Sequence, residues 1–112
     1  MNETVHQCIN ECLNCHNVCL NAITYCLEQG SRHAEAGHIR LLLDCADICR
    51  TSADFMLRGS PRHTRTCGVC AEICALCAED CERYQDDPHM QNCAQACRRC
   101  AESCRQMAAA HA

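Results

Sequence analysis

Cysteine has the most regular spacing of the chemically reactive residue types in this sequence, and it accounts for sixteen of the 112 residues. The pattern Cys-x3-Cys-x2-Cys-x3-Cys occurs three times, as Cys8/Cys12/Cys15/Cys19, Cys70/Cys74/Cys77/Cys81 and Cys93/Cys97/Cys100/Cys104. Because spacings of three and four residues alternate around the period of an α helix, each copy places four thiols on one helix face. Thiols in such arrays bind soft metal ions or carry out redox chemistry.

The four remaining cysteines extend this arrangement. Cys26 continues the first face, Cys67 precedes the second copy of the repeat, and a further stripe consists of His38, Leu42, Cys45, Cys49, Ser52 and Met56. All sixteen cysteines therefore fall on four stripes, one for each of four helices. This pattern predicts an all-α fold, an antiparallel up-down four-helix bundle with a cysteine-lined core.

The turn residues divide the chain into the same four parts. Helix-ending and helix-starting signals occur at Gly30-Ser31, Gly59-Ser60-Pro61 and Asp87-Pro88. They predict helices over residues 3–29, 34–58, 61–85 and 88–109. Short connections make neighbouring helices antiparallel, and the length suits a single domain over residues 1–112.

Ordinary core residues are scarce. Leu, Ile, Val and Phe together number 17 of 112 residues, about 15%, where a fraction below roughly 20% is typical of disordered chains. Buried cysteine behaves as a small apolar residue, so we expect cysteine itself to build the core. The N-terminus has no secretory signal pattern and no stretch approaches a membrane span, so we expect a cytoplasmic protein with reduced thiols and no membrane partner.

Several function classes are disfavoured by charge and motif content. All ten cations are Arg and are scattered, the net charge is −4, and there are three aromatic residues, so no nucleic-acid partner is expected. No catalytic motif can be identified, and we expect no enzyme. A redox role for the pair Cys67-x2-Cys70 remains an alternative, although such pairs usually start a helix on a βαβ scaffold.

Copper(I) is the metal that this pattern favours. Thiols three or four residues apart on a helix can close on one soft ion, which would make each stripe a ladder of paired sites. One copper(I) per thiolate leaves a neutral core, whereas tetrathiolate zinc sites would bury excess negative charge. Zinc also needs four ligands per ion, and the second helix has only two cysteines. Iron–sulfur clusters are weaker candidates because the helical spacing differs from cluster-binding runs.

The chain resembles the bacterial copper storage proteins, a cysteine-rich family of four-helix bundles, over essentially its whole length. The resemblance rests on the three repeats, on Asp44-Cys45-Ala46-Asp47-Ile48-Cys49, and on the segment Ser-Ala-Asp-Phe-Met-Leu-Arg-Gly-Ser over residues 52–60. It implies storage of multiple copper(I) ions per chain for detoxification or supply, in a homo-oligomer that is a tetramer, with a copper chaperone as a further partner. One departure is that Ser52 and Met56 stand where a denser stripe would carry cysteine.

Antiparallel order gathers potential ligands besides the cysteines at one end of the bundle. That end should contain Cys8, Asp54, Met56, His63, Cys67, Met107 and His111. Neutral Met and His bind copper(I) more weakly than paired thiolates do, so Met56, His63, Met107 and His111 could form an entry port. The alternative is that the methionines merely cap the core and the histidines are solvated.

Other polar and apolar positions leave further alternatives open. His38, His89 and Met90 mark the opposite end, while His6, His16 and His33 are expected on the surface. Some apolar residues lie off the stripes and either flank the core or form a subunit interface: Ile9, Leu13, Leu20, Leu41, Leu43 and Ile48.

Overall fold

The structure, a computed structural model, describes residues 2–110. Over that range the chain forms α1 (Glu3–Gln29), α2 (Ala36–Leu57), α3 (His63–Glu82) and α4 (Pro88–Ala110), with a 3₁₀ helix at Ser31–Ala34. Each α helix packs on two neighbours in the cyclic order α1, α2, α3, α4, and the bundle measures 42 × 19 × 19 Å. The predicted antiparallel four-helix bundle is confirmed.

The helix ends follow the capping residues of the sequence. Asn2 Oδ1 accepts a hydrogen bond from the backbone N–H of Val5 (2.9 Å), and Asp87 Oδ1 accepts one from the N–H of His89 (2.9 Å). Gly59 ends α2 with a φ of 68°, a conformation that glycine adopts without steric cost. The two side chains accept hydrogen bonds from N–H groups that a helix start leaves unpaired, and the glycine lets the chain turn out of the helix.

Two helices are shorter than predicted. The 3₁₀ helix occupies the expected start of α2. At the start of α3, Ser60 Oγ accepts a hydrogen bond from the N–H of Arg62 (3.2 Å), which holds a turn and delays the helix to His63. At its C-terminal end, α3 stops at Glu82. Just beyond that point, the Tyr84 hydroxyl donates a hydrogen bond to the carbonyl oxygen of Arg32 (3.0 Å).

Cysteine is the main core residue, as predicted. All sixteen cysteines are free thiols and are at most 1% exposed. The rest of the core combines small alanines with a few larger side chains, among them Leu42, Tyr84 and three methionines. Because cysteine is smaller than leucine, the helices present their thiols to one another at short range along the bundle axis.

The apolar residues off the stripes divide into two groups. Ile9 is buried, and Leu13, Leu41 and Ile48 are half-buried against the core. Leu20 and Leu43 are 44% and 43% exposed, so these two do not contribute a buried face within the monomer. No helix between residues 2 and 110 is long and apolar enough to cross a membrane.

Candidate metal centre

The thiol sulfurs form a continuous series along the bundle. Eleven cysteines from all four helices follow one another with Sγ–Sγ distances between 3.4 and 4.0 Å. In spatial order they are Cys8, Cys104, Cys12, Cys100, Cys49, Cys74, Cys45, Cys15, Cys97, Cys19 and Cys93. An ion bound anywhere in this series has further sulfur ligands within reach on either side.

The short sulfur contacts run mainly between helices, which differs from the expected ladders within each stripe. In the described range, Cys70–Cys74 at 3.7 Å is the one thiol–thiol hydrogen bond within a single helix, and the sulfurs of the intrahelical pairs Cys15/Cys19 and Cys100/Cys104 lie within 4.8 Å of each other. The reason is geometric: residues three or four apart on a helix have Cβ atoms about 5–6 Å apart. Thiols from neighbouring helices interdigitate at shorter distances, such as 3.4 Å between Cys12 and Cys104.

Groups of thiols large enough to hold a metal overlap one another. Within each group the sulfurs lie within 4.8 Å of each other, and the groups are Cys12/Cys70/Cys100/Cys104, Cys15/Cys49/Cys74/Cys100, Cys15/Cys19/Cys45/Cys97 and Cys8/Cys67/Cys104. Cys15, Cys100 and Cys104 each belong to two groups. Separate tetrahedral zinc sites would each need four ligands of their own, whereas bridging thiolates suit clusters of a soft ion such as copper(I).

Burial favours the protonated form of two thiols of the unloaded core, Cys81 and Cys26. Contacts with Cys77 and Cys93, together with burial, raise the pKa of Cys81. Burial is the main cause that raises the pKa of Cys26 to about 11. An ion bound by either of these two thiols must therefore displace its proton, and one monovalent ion per proton leaves the charge there unchanged.

We expect the metal-free protein to lose stability at alkaline pH. Because the folded pKa of Cys26 is about 11 and its ordinary value is 9.0, its contribution is complete below pH 9 and is lost as pH rises through 11. This thiol alone should lower the free energy of unfolding by about 1.4 kcal/mol at pH 10. Anaerobic urea unfolding at pH 8 and pH 10 would measure this loss. The Cys26→Ala variant should show a smaller difference in the free energy of unfolding between the two pH values. A free energy of unfolding equal at both pH values would contradict this expectation.

The end of the bundle that contains Met56 brings together several predicted ligands. Met56 Sδ lies 3.8 Å from Cys67 Sγ, and Met56 and Met107 are both buried. His63 is half-buried, and its Nδ1 lies 2.8 Å from the carbonyl oxygen of Ser60. His111 lies outside the described residues. We call this region the Met56 end.

The opposite end contains His38 and Met90, as the sequence predicted, together with Cys26 and Asp80, which the sequence did not indicate as their partners. His38 is buried with Cys26 and Met90, and the Asp80 carboxylate contacts His38 Nδ1. Tyr84 is 1% exposed and covers His38, with ring centroids 4.8 Å apart. His89, the third residue predicted for this end, is exposed and stacks on Tyr25 with ring centroids 4.1 Å apart. We call this region the His38 end.

The other histidines belong to the outer part of the bundle. His6 is exposed, as expected. His16 and His33 are half-buried: His16 Nδ1 lies 2.8 Å from the Ala46 carbonyl oxygen, and His33 Nε2 lies 2.8 Å from Asp87 Oδ2. Their ring nitrogens face these outer partners.

Ser52 is a polar residue inside the thiol core. It is fully buried, and its hydroxyl has no hydrogen-bond partner in the described part of the chain. Leaving a buried hydroxyl unpaired costs about 1–3 kcal/mol. It follows Cys49 on the α2 stripe, so a cysteine at this position would extend the metal-binding series.

We therefore expect Ser52→Cys to raise copper(I) capacity by about one ion per chain, because it adds a thiolate beside existing ones. Ser52→Ala serves as the matched control and should leave capacity unchanged. Capacity would be measured anaerobically by copper analysis after removal of weakly bound metal. Equal capacities in Ser52→Cys and the parent protein would contradict the placement of residue 52 in the metal-binding core.

The helical bundle and its thiol core together define the class of protein. It is an all-α metal-thiolate protein in which the groups of ligands overlap. The chain belongs to the copper storage protein family (Csp), whose sequence profile matches residues 1–109.

Solved structures agree with this assignment. The chain is 47% identical to the Nmul_A1745 protein from Nitrosospira multiformis, with a TM-score of 0.92 and 98% and 99% of the two chains covered. It is 40% identical to the Cu(I)-bound copper storage protein BsCsp3, with a TM-score of 0.88 and coverage of 95% and 99%. It is 31% identical to a cytosolic copper storage protein from Streptomyces lividans, solved with five coppers, with a TM-score of 0.88 and coverage of 96% and 85%.

Proposed function

We propose that this chain binds and stores multiple copper(I) ions through the cysteine thiolates of its core. The observation that carries the proposal is the unbroken series of sulfurs, spaced 3.4 to 4.0 Å, with three cysteines shared between groups. Such a series offers every ion two or three soft ligands and has no boundary between one site and the next. Discrete structural sites would show such boundaries.

An anaerobic copper(I) titration of the fully reduced protein tests the proposal. We expect chelator-resistant binding to about one copper per thiol, because a copper(I)–thiolate core is then neutral. Zinc(II) titrated in parallel should bind more weakly and to a lower capacity. Saturation near four metals, with zinc competing effectively, would overturn storage in favour of separate tetrahedral sites.

We also propose that the chain is not an enzyme. Its thiols are at most 1% exposed, and the pair Cys67 and Cys70 lies within the same buried core. A reactive redox cysteine is partly exposed and has a lowered pKa, which lets it meet a substrate. Storage predicts that no single cysteine pair is essential, whereas a redox site predicts that one pair abolishes activity.

The Met56 end is proposed as the entry port, with Met56, His63, Met107 and His111 as additional ligands. Met56 and Met107 are both buried, and Met56 Sδ lies 3.8 Å from Cys67 Sγ. A thioether binds copper(I) without losing a proton, so it can accept an ion and pass it to a thiolate. The paired variant Met56→Leu with Met107→Leu should slow copper uptake severalfold and leave final capacity unchanged. An unchanged uptake rate would refute the port.

The cellular setting is part of the same proposal. We infer a single domain over residues 1–112 that acts in the cytoplasm, exchanges copper with a chaperone, and forms a homo-oligomer, a tetramer by family resemblance. The exposed Leu20 and Leu43, on α1 and α2, support burial between subunits. Light scattering of the reduced protein would test this, and a monomer at micromolar concentration would refute it.

A further inference from the structure

Cys26 differs from the other cysteines in what surrounds it. Its Sγ lies 3.3 Å from His38 Nε2 and 3.7 Å from Met90 Sδ. Within residues 2–110, no other cysteine is hydrogen-bonded to it, and it belongs to none of the overlapping thiol groups. All three side chains are at most 3% exposed. One thiol, one imidazole and one thioether therefore converge at the His38 end, separate from the overlapping thiol groups.

Asp80 fixes the orientation of the imidazole. Its Oδ2 contacts His38 Nδ1, while its Oδ1 accepts hydrogen bonds from Arg83 Nε (3.0 Å) and Nη2 (2.7 Å). With the Nδ1–H donated to Asp80, the lone pair of Nε2 faces Cys26. A carboxylate behind a histidine in this way is the usual outer partner of a metal-ligating imidazole.

The same three residues could also suggest a Cys-His-Asp catalytic arrangement. In such an arrangement the histidine activates a thiol that can reach a substrate carbonyl. Here the Cys26 thiol is fully buried, and Met90 Sδ lies 3.7 Å from its sulfur. A thiol that no substrate can reach, next to a thioether, is unsuited to nucleophilic attack and well suited to a soft metal ion.

The distances from Cys26 Sγ to His38 Nε2 and to Met90 Sδ suit ligands of one ion. With metal–sulfur bonds of about 2.3 Å and metal–nitrogen bonds of about 2.0 Å, the values for zinc, the two separations subtend angles of about 100° and 107° at the metal. A shift of a few tenths of an ångström opens both angles toward a trigonal site. The single thiolate and one copper(I) cancel in charge, which removes the cost of burying an unpaired ion.

We propose that Cys26, His38 and Met90 form a three-ligand copper(I) site at the His38 end, distinct from the thiolate clusters, with Asp80 as its positioning residue. The proposal rests on the copper-storage function of the core. Because two of its three ligands are neutral, the site holds copper less tightly than shared thiolates do. At equilibrium with a competing chelator, the site therefore fills after the clusters and empties before them.

Nitrogen-15 NMR of protein labelled in its histidines gives a direct test. Copper(I) is diamagnetic, so the His38 signals remain observable. We expect His38 to be protonated at Nδ1 before loading, and its Nε2 resonance to shift in the last part of a copper(I) titration. His33, whose Nε2 contacts Asp87 rather than the core, serves as the internal control and should not shift.

Two variants separate this site from the rest of the core. Met90→Leu conserves volume and should fold normally, and it should lower capacity by about one ion while the remaining copper stays chelator-resistant. Asp80→Asn should move the His38 proton between ring nitrogens and weaken only the last ion bound. If the core fills to about one copper per thiol and His38 Nε2 does not shift, the mixed site is refuted and storage stands. If copper binds nowhere tightly, storage itself fails.

Discussion

Cys100→Ala is expected to lower copper(I) capacity by about two ions per chain, against about one ion for Cys81→Ala. The difference arises because Cys100 belongs to two groups of four thiols, and Cys81 belongs to none of the overlapping groups. A thiolate shared between groups bridges ions, so its loss removes a ligand from more than one metal. Its Sγ contacts thiols on α1, α2 and α3 at 3.7 to 3.9 Å, which places it at a junction of the series.

Cys81→Ala is a matched control because both residues are fully buried and both changes remove one sulfur. Helical content and unfolding of the metal-free variants would be compared first, since each change leaves a small cavity of similar size. Copper capacity would then be measured under a competing chelator. Equal losses for the two variants would show that the groups do not share ions, which would favour independent sites.

The helical fold could be predicted because the cysteines carry the helix period themselves. Cys93 to Cys104 follow the alternation of three and four residues without a break, and Cys8 to Cys26 follow it with Ala22 at one position of the stripe. That alternation requires a helix and also fixes which face is buried, so fold and core follow from one signal. Local capping signals such as Asp87-Pro88 then placed the start of the fourth helix correctly.

The partners of each thiol could not be predicted from spacing. Which sulfur on α4 meets which sulfur on α1 depends on the axial offset of two helices, and that offset is set by packing along their whole length. The 3.4 Å contact between Cys12 and Cys104 is therefore visible only in the folded chain. The stripe pattern predicted pairs of thiols within one helix, because a spacing of three or four residues is the only proximity that the sequence itself reveals.

The role of Asp80 could not be predicted from the sequence either, because it depends on a contact between two helices. In sequence it resembles the other acidic residues of an outer helix face, and it precedes Cys81 by one position. In the fold it reaches across to His38 on α2 and is held by Arg83. A carboxylate that orients a histidine from another helix leaves no spacing signal, so its role emerges from the tertiary structure alone.

The two ends of the bundle differ in the side chains that close the core. At the His38 end, Tyr84 covers the core, and Arg32 lies over the Tyr84 ring at 4.4 Å from its centroid. At the Met56 end, flexible thioethers stand at the limit of the core. Tyr84 would have to leave a packed, hydrogen-bonded position for an ion to pass, whereas a methionine need only change rotamer. This contrast supports uptake through the Met56 end.

Copper loading is expected to raise the melting temperature by at least about 20 °C. A ligand at a hundred times its dissociation constant stabilises the folded state by about 2.7 kcal/mol per site, and several sites fill in each chain. For a domain of this size, each kcal/mol corresponds to a shift of about 4 °C. The unfolded chain keeps its thiols and binds some copper, so the gain is smaller than the sum over sites.

The gain should nevertheless be large, because only the folded bundle holds thiols from all four helices within 4.8 Å of one another. Anaerobic thermal melts followed by circular dichroism, at increasing ratios of copper(I) to protein, would measure this gain. The melting temperature should continue to rise as the series of thiols fills. A variant with Cys15, Cys100 and Cys104 all replaced by alanine serves as the comparison, since it lacks the three shared ligands. A melting temperature that stops rising after the first few ions would mean that the later ions bind folded and unfolded chains equally. In that case the core would not act as one preorganised store.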